Sequence, residues 1–446
     1  MNDSVSASIQ FLQRQVASLL LYQSVLDGEI GQAFLQFLRA FRQQDQDGLA
    51  CLEAYGQWFR AMAAAGLSWQ DYLLTQIVRA DNPFTRQVQR SPQATQKRSP
   101  LTDLPSALVL AAQQDLRRLQ NLYGCSGHQF SLWMKAEFSL SVPLVEWATP
   151  CGYLAERAPT HLRDTTLWQK FQTSEDWAEV LPNLADYYCQ AGIGVFATYH
   201  AFRWQDGQFA GVAYPDPIRL RSLMGYEIPR AALLKNTEAL LAGYPALNVL
   251  LYGSRGTGKS SLVKSLVHEY GDRGLRLIEV GKANLKDLPA IVEQLRPMPH
   301  SFIIFVDDLS FEEDDEAFKA LKVVLEGSLT ARPENVVVYA TSNRRHLVRE
   351  FHGDRPSPKD ADEIHHWDTL QEKLSFSDRF GLTLTFEPAD QTTYLEIVRH
   401  LVKEAAIEIG DEDLEFRALQ WATRQNGRSG RTARQFVDFL RADRAL

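Results

Sequence analysis

Between residues 9 and 22 apolar side chains return every three or four positions, at Ile9, Leu12, Val16, Leu19 and Leu20, and Phe34, Leu35, Leu38 and Phe41 repeat the spacing. A repeat near 3.6 residues lays one apolar stripe along a helix, so the chain opens as amphipathic helices. The periodicity lapses between residues 81 and 105, where Asn82, Pro83, Ser91, Pro92, Ser99 and Pro100 stand among Gln and Arg, and this stretch reads as a loop or linker. Helical spacing then resumes. From residue 195 the run V-F-A-T-Y-H-A-F-R-W, then Asp206-Gly207, then F-A-G-V-A-Y predicts two strands joined in a β-hairpin, because Asp-Gly suits the left-handed residues of a tight turn. Pro215-Asp216-Pro217 follows and places a domain junction near residue 220.

Beyond Asn248 the texture changes to short β-branched and aromatic runs alternating with helical stretches. Strands are expected at 248–252, 275–280, 302–306, 336–340 and 382–386, and segments such as 262–270 and 317–325 are long enough for crossover helices. That pattern predicts a five-stranded parallel sheet in an α/β core. After Gln391 only helical signals remain. The expected organisation is a mainly α-helical N-terminal domain with the hairpin over 1–217, an α/β core over 218–389 and a helical unit over 390–446.

The 446 residues allow about three domains, and 45% apolar with 23% charged residues is an ordinary globular composition. Forty-seven Lys and Arg against 55 Asp and Glu leave a net charge of -8, which argues against a protein that coats nucleic acid by bulk electrostatics. No apolar run approaches the roughly 18 to 20 residues that span a bilayer, and Met-Asn-Asp-Ser at the start lacks a basic, then apolar, leader pattern. A cytoplasmic protein without a membrane partner is expected. Cys51, Cys125, Cys151 and Cys189 are widely spaced, with no C-x-x-C pair, and read as reduced core residues. Seven of the nine tryptophans lie before residue 210, and they are expected to fill the core of a large helical domain rather than a partner surface.

Chemistry concentrates in N-V-L-L-Y-G-S-R-G-T-G-K-S-S, where Gly253, Gly258, Lys259 and Ser260 match the phosphate-binding pattern G-x-x-x-x-G-K-[ST]. A polyphosphate needs several N–H donors converging on it, hence backbone free to turn left-handed and free of bulky side chains. Gly253, Gly256 and Gly258 supply that freedom, and Ser254, Arg255, Thr257 and Ser261 complete the segment. Lys259 would reach the β- and γ-phosphates of ATP, Ser260 would ligate Mg²⁺, and the helix opening near Ser260 adds its positive dipole end. Next, S-F-I-I-F-V-D-D-L predicts a buried strand ending in Asp307, which would hold Mg²⁺ through its water shell, and Asp308, which could orient or deprotonate a water. A third strand, N-V-V-V-Y-A-T-S-N, ends in Asn343, whose amide could bond a γ-phosphate or water but could equally be a turn residue.

This ordered set resembles an AAA+ ATPase: a P-loop at 253–260, a Walker B strand ending at Asp307 and Asp308, and a sensor-1-like Asn343. The segment S-D-R-F at 377–380 resembles an arginine-finger segment and S-G-R-T-A-R at 429–434 resembles sensor 2. More narrowly, G-Y-E at 225–227, V-D-D-L-S-F-E-E at 306–313, A-T-S-N-R-R-H-L at 340–347 and L-S-F-S-D-R-F-G-L at 374–382 resemble the bacterial AAA+ family known as domain of unknown function 815. The resemblance covers roughly 218–446 and implies a P-loop core, a C-terminal helical lid and a homo-oligomer, such as a ring. It implies that Arg379 is a finger acting on a neighbour's nucleotide, with Arg344 and Arg345 as rivals, and that Arg431, or Arg434 one turn on, reaches the nucleotide from the lid. Many AAA+ motors carry Glu where this chain has Asp308. The shorter side chain points to slow hydrolysis, with Glu312 or Glu313 as substitutes. The acidic and histidine-bearing segment 352–373, with Glu363, His365, His366 and Asp368, reads as an exposed insertion rather than a metal site.

The expected protein is an ATPase with ATP and Mg²⁺ as cofactors, working on a protein partner through its N-terminal domain. Two alternatives stand beside it. One is a DNA-associated switch, which only the local basic cluster Arg344, Arg345, His346 and Arg349 favours and the net charge opposes; the other is a scaffold that binds nucleotide without turnover.

Overall fold

The computed structural model describes residues 3–41, 48–90, 100–138, 144–147, 166–309, 316–326, 333–343, 379–425 and 427–445. Two compact units emerge, Met1–Thr198 and Tyr199–Leu446. Among the described residues no helix is long and apolar enough to cross a membrane.

The first unit is helical: α1 (Asp3–Ala17), α2 (Glu29–Ala40), α3 (Leu49–Ala65), α4 (Trp69–Val78), α5 (Pro83–Arg90), α6 (Ser106–Tyr123), α7 (Gly127–Phe138), α8 (Thr166–Thr173) and α9 (Leu181–Ala191). The apolar stripes read from the sequence meet in one core, where Phe34 stacks on Trp69 at 4.1 Å and Phe37 on Trp58 at 5.9 Å. Trp58, Trp69, Trp168 and Trp177 are buried, as the core reading expects. Cys51, Cys125 and Cys189 are buried, whereas Cys151 lies outside the described residues. The stretch read as a linker at 81–105 is in part a helix. Asn82 accepts the N–H groups of Phe84 and Thr85, Pro83 opens α5 where its missing N–H costs nothing, and Phe84 and Val88 are buried. Loop-forming residues here start a helix, because Asn and Pro serve both purposes. Among the described residues of this unit one carboxylate is fully buried: Asp115 of α6 takes the N–H groups of Leu20, Leu21 and Tyr22 and pairs with Arg118, which satisfies its charge.

The second unit is an α/β layer on a mixed sheet. Its strands are β1 (Ala201–Gln205), β2 (Gln208–Gly211), β3 (Val249–Gly253), β4 (Leu275–Glu279), β5 (Ser301–Val306), β6 (Val336–Ser342) and β7 (Leu382–Phe386). Their order is β2-β1-β4-β5-β6-β3-β7. The sheet therefore has seven strands and not the five expected. The five parallel strands are present, but the hairpin assigned to the N-terminal domain adds two more, with β1 parallel to β4 and antiparallel to β2. Its apolar side explains the docking: Phe202 and Trp204 are buried, and the Trp204 indole donates to Asp287 at 2.9 Å. By pairing with β4 the hairpin covers an edge that would otherwise expose unpaired N–H and C=O groups.

β5 and β6 read as unbroken apolar runs because the sheet is covered on both faces, and every residue of β6 is buried. The helices that follow or flank the strands are α10 (Glu227–Leu241), α11 (Lys259–Tyr270), α12 (Leu288–Leu295) and α13 (Glu316–Glu326). Three more, α14 (Gln391–Glu404), α15 (Asp411–Arg424) and α16 (Gly430–Ala445), share a separate core around Tyr394, Val398, Leu401, Ala418, Phe436 and Leu440. Register fixes what matters next: Gly253 lies opposite Phe386, Tyr252 opposite Ser342, and Val306 opposite Ala340. The C-terminal ends of β3, β5 and β6 thus share one edge of the sheet, where open α/β sheets bind ligands.

Candidate nucleotide site

β3 ends in Gly253, whose φ of 143° and close approach to β7 both require glycine: a Cβ there would overlap the Phe386 carbonyl. Ser254 donates its N–H to that same carbonyl at 3.3 Å. The loop turns through Gly256 and Gly258, both left-handed, and Gly258 delivers the chain into α11 at Lys259. A helix start after a glycine-rich turn directs free N–H groups and a positive dipole end at one place.

The Lys259 side chain is buried, and its ammonium donates to the Gly253 carbonyl at 2.9 Å, the Ser254 carbonyl at 2.7 Å and the Thr257 hydroxyl at 3.4 Å. Asn343 Oδ1 stands 3.5 Å away as a fourth acceptor. Burial lowers the Lys259 pKa, and the charges of Asp307 and Asp308 act against that shift. Ser260 Oγ donates to Asp307 Oδ1 at 2.6 Å, joining the start of α11 to the end of β5. Asp308 turns left-handed with φ 50°, a conformation that short Asp tolerates better than most residues. Asn343 Nδ2 donates to Asp308 Oδ1 at 2.7 Å. The amide of Asn343 thus bridges the Lys259 and Asp308 side chains, and the strand-end reading of this residue acquires definite partners.

Residues 255–261, Asp307, Asp308, Asn343 and Arg431 all line one cleft of about 530 Å³. Gly253 and Ser254 lead into the loop from β3, and Ser254 borders an adjoining cavity with Arg255 and Arg428. Arg431 reaches the P-loop through its backbone as well, donating N–H to the Gly256 carbonyl at 3.2 Å, and Arg434 lines the same cleft. Arg379 is the exception. It precedes β7, whose Leu382 lies opposite Val249 and whose Phe386 lies opposite Gly253. β7 alone spans about 13 Å at roughly 3.3 Å per residue, so Arg379 sits towards the far end of the sheet from its own P-loop. Arg344, Arg345, His346, Arg349, Glu312, Glu313 and the segment 352–373 fall outside the described residues. Among the described residues no group of three or more His, Cys, Asp or Glu is placed to hold a metal ion.

Sequence reasoning missed the apolar wall. Ile218, Leu223, Met224, Tyr226, Ile397 and Leu401 line the cleft beside the P-loop and give it a slot suited to a planar base. Tyr226 is fixed by its hydroxyl, which donates to the Glu387 carbonyl at 2.7 Å, and by ring contact with Phe386 at 5.1 Å. Gly225 and Tyr226 are consecutive left-handed residues, and this turn brings the wall to the loop. The G-Y pair was visible in the sequence, but the partner half of the slot comes from α14, about 170 residues away by chain position. The residues present fit Mg·ATP: a lysine buried among carbonyls at the P-loop, a hydroxyl and carboxylate pair for the cation, and an apolar slot for the base.

Fold and site together define an α/β protein with a P-loop. The chain belongs to the family described as Protein of unknown function (DUF815), whose model matches residues 197–444. No curated protein matches the chain. Among solved structures it is similar to the Thermotoga maritima RuvB Holliday junction branch migration motor, with 16% identity over 50% of this chain and 72% of that chain and a TM-score of 0.33. It is also similar to the replication initiator DnaA bound to AMPPCP and single-stranded DNA, with 18% identity over 51% of this chain and 66% of that chain and a TM-score of 0.34.

Proposed function

We propose that the second unit binds Mg·ATP in this cleft and hydrolyses it slowly, and that the cycle drives assembly or remodelling of a cytoplasmic protein partner held by the N-terminal unit. The observation that carries the reading is the contact of Ser260 with Asp307 beside a lysine buried in a glycine-rich loop. The loop N–H groups and Lys259 receive the phosphates, and the apolar wall with Tyr226 receives the base. The Ser260 hydroxyl and the Asp307 carboxylate would hold Mg²⁺, which would supply charge compensation on the phosphate oxygens.

Asp308 is the base. Its Oδ1 is held by Asn343, which aims the carboxylate and leaves Oδ2 to take a proton from the attacking water. Asp is one methylene shorter than Glu, which makes the water harder to reach and turnover slow. Asn343 and Arg431 sense the γ-phosphate from the sheet and from the three-helix lid. Arg379, remote from its own P-loop, acts on the nucleotide of an adjacent copy, which makes the active form a homo-oligomer.

The test pairs ATP titration with phosphate release. Lys259→Ala is expected to weaken ATP binding by at least about tenfold, as loss of a charged phosphate contact does. Asp308→Asn is expected to bind ATP as wild type does while releasing phosphate about 10²-fold or more slowly. Unchanged release by Asp308→Asn would remove Asp308 as the base, and binding without any release would leave a nucleotide-dependent scaffold.

A further inference from the structure

Thr341 lies on β6, two residues before Asn343, with 2% of its surface exposed. Its hydroxyl occupies a position whose directionality is fixed by chemistry. The Asp308 N–H, which can only donate, points to Thr341 Oγ1 at 2.9 Å. The hydroxyl proton must then go to an acceptor, and Asp307 Oδ1 is 2.5 Å away. Two further bonds fasten the same turn to β6: Leu309 N–H to the Thr341 carbonyl at 2.7 Å, and Ser342 Oγ to the Leu309 carbonyl at 2.9 Å.

The consequence falls on Asp307. Its Oδ1 receives the Ser260 hydroxyl, the Thr341 hydroxyl and the Asp308 N–H, the last at 3.1 Å, while its Oδ2 accepts no hydrogen bond among the described residues. One oxygen is tethered to the protein and the other is left for a ligand. Ser260 cannot supply this tether alone, because its oxygen is the one placed to meet the cation.

The geometry points to Thr341 as the positioning residue of this site: its hydroxyl sets the rotation of the Asp307 carboxylate for the metal's water shell and holds the left-handed Asp308 backbone that aims the base. This rests on the Mg·ATP reading above. It adds a role carried by hydroxyl chemistry, not by the bulk of the side chain.

The test uses the full chain with Thr341→Val, which keeps the shape and removes the hydroxyl, and Thr341→Ser, which keeps the hydroxyl and removes the methyl. Two quantities are read: the gain in ATP affinity on adding Mg²⁺ over EDTA, and kcat with the Mg²⁺ concentration for half-maximal turnover. Thr341→Val is expected to lose about 10- to 100-fold in the Mg²⁺-dependent gain and in kcat, as loss of a metal's outer partner does. Its metal-free ATP affinity should stay within about threefold of wild type, and Thr341→Ser should recover most of the loss. Thermal melting checks that the variants fold, with Thr341→Ala replacing Thr341→Val if the latter does not. Wild-type values for Thr341→Val, or an equal loss in Thr341→Ser, would overturn the proposal. If wild type shows no turnover the hydrolysis reading fails, and the Mg²⁺-dependent affinity still decides the role of Thr341.

Discussion

Lys259 opens a helix with its ammonium turned into the loop that precedes it, where backbone carbonyls stand around it. Burial makes the charged form costlier there than in water, so the folded protein releases this proton below the ordinary 10.5. Between the lowered folded value and 10.5 the unfolded chain binds more protons than the folded one, so the stability contribution of this group rises with pH through that window. A polyphosphate beside the ammonium favours the charged form again. ATP binding is therefore expected to take up a proton within that window and to weaken as pH rises further, an effect absent in Lys259→Arg. Calorimetry in two buffers of different ionisation enthalpy measures the uptake directly, and equal heats for wild type would contradict it. At the same scale Asp308 acquires a second reason to be Asp. Its left-handed backbone favours a short polar side chain over the longer Glu, whatever the demands of proton transfer.

Elements meet at the glycines of the loop. Gly253 lets the end of β3 approach β7 so closely that any Cβ would overlap the Phe386 carbonyl, and its φ is one that L side chains rarely adopt. Gly253→Ala is expected to cost about 2 to 4 kcal/mol in urea unfolding, because backbone rather than a mobile side chain must yield. Gly256 is different. A Cβ there would come within 2.8 Å of Ser429 Oγ, at the turn where α15 passes into α16. Gly256→Ala should therefore weaken the packing of the turn before α16 on the P-loop, with a smaller cost of about 1 to 2 kcal/mol from its left-handed backbone. A double-mutant cycle with Ser429→Ala separates the two contributions: removing the hydroxyl should restore part of the stability and of the ATP affinity lost in Gly256→Ala. Independent, additive effects would show that this turn does not press on the loop there.

At the scale of the whole molecule the question is whether one copy completes another. Arg379 stands towards the end of β7 remote from Gly253, too far along the strand for its own side chain to serve its own cleft. Arg379→Ala is expected to bind ATP normally and to lose about 10³-fold in turnover, as loss of an arginine finger does. Mixing it with Lys259→Ala should then restore activity. Lys259→Ala lacks a working P-loop but still carries Arg379, so a mixed interface holds one intact site. Light scattering with and without Mg·ATP reports whether assembly accompanies the gain, and an inactive mixture that still assembles would place the missing charge elsewhere.

What depends on local pattern could be read directly from the chain. Helical stripes, five apolar strand runs and the glycine spacing of the P-loop are all set within about a dozen neighbouring residues, and periodicity or φ freedom makes them legible. The acidic pair at 307 and 308 and the Asn at 343 were legible too, as chemistry at the ends of predicted strands. The rest came from packing between distant segments. The hairpin joined the sheet of the second unit, because edge pairing with β4 depends on a partner 76 residues away. The apolar slot needed Tyr226 and Ile397 from separate elements, and Thr341 looked like one more strand residue until the end of β5 came beside it. Helix caps and loops use the same residues, so Asn82 and Pro83 read as a linker until Phe84 found a core to enter. Local pattern fixes which elements form; only packing shows which atoms they bring within hydrogen-bonding distance.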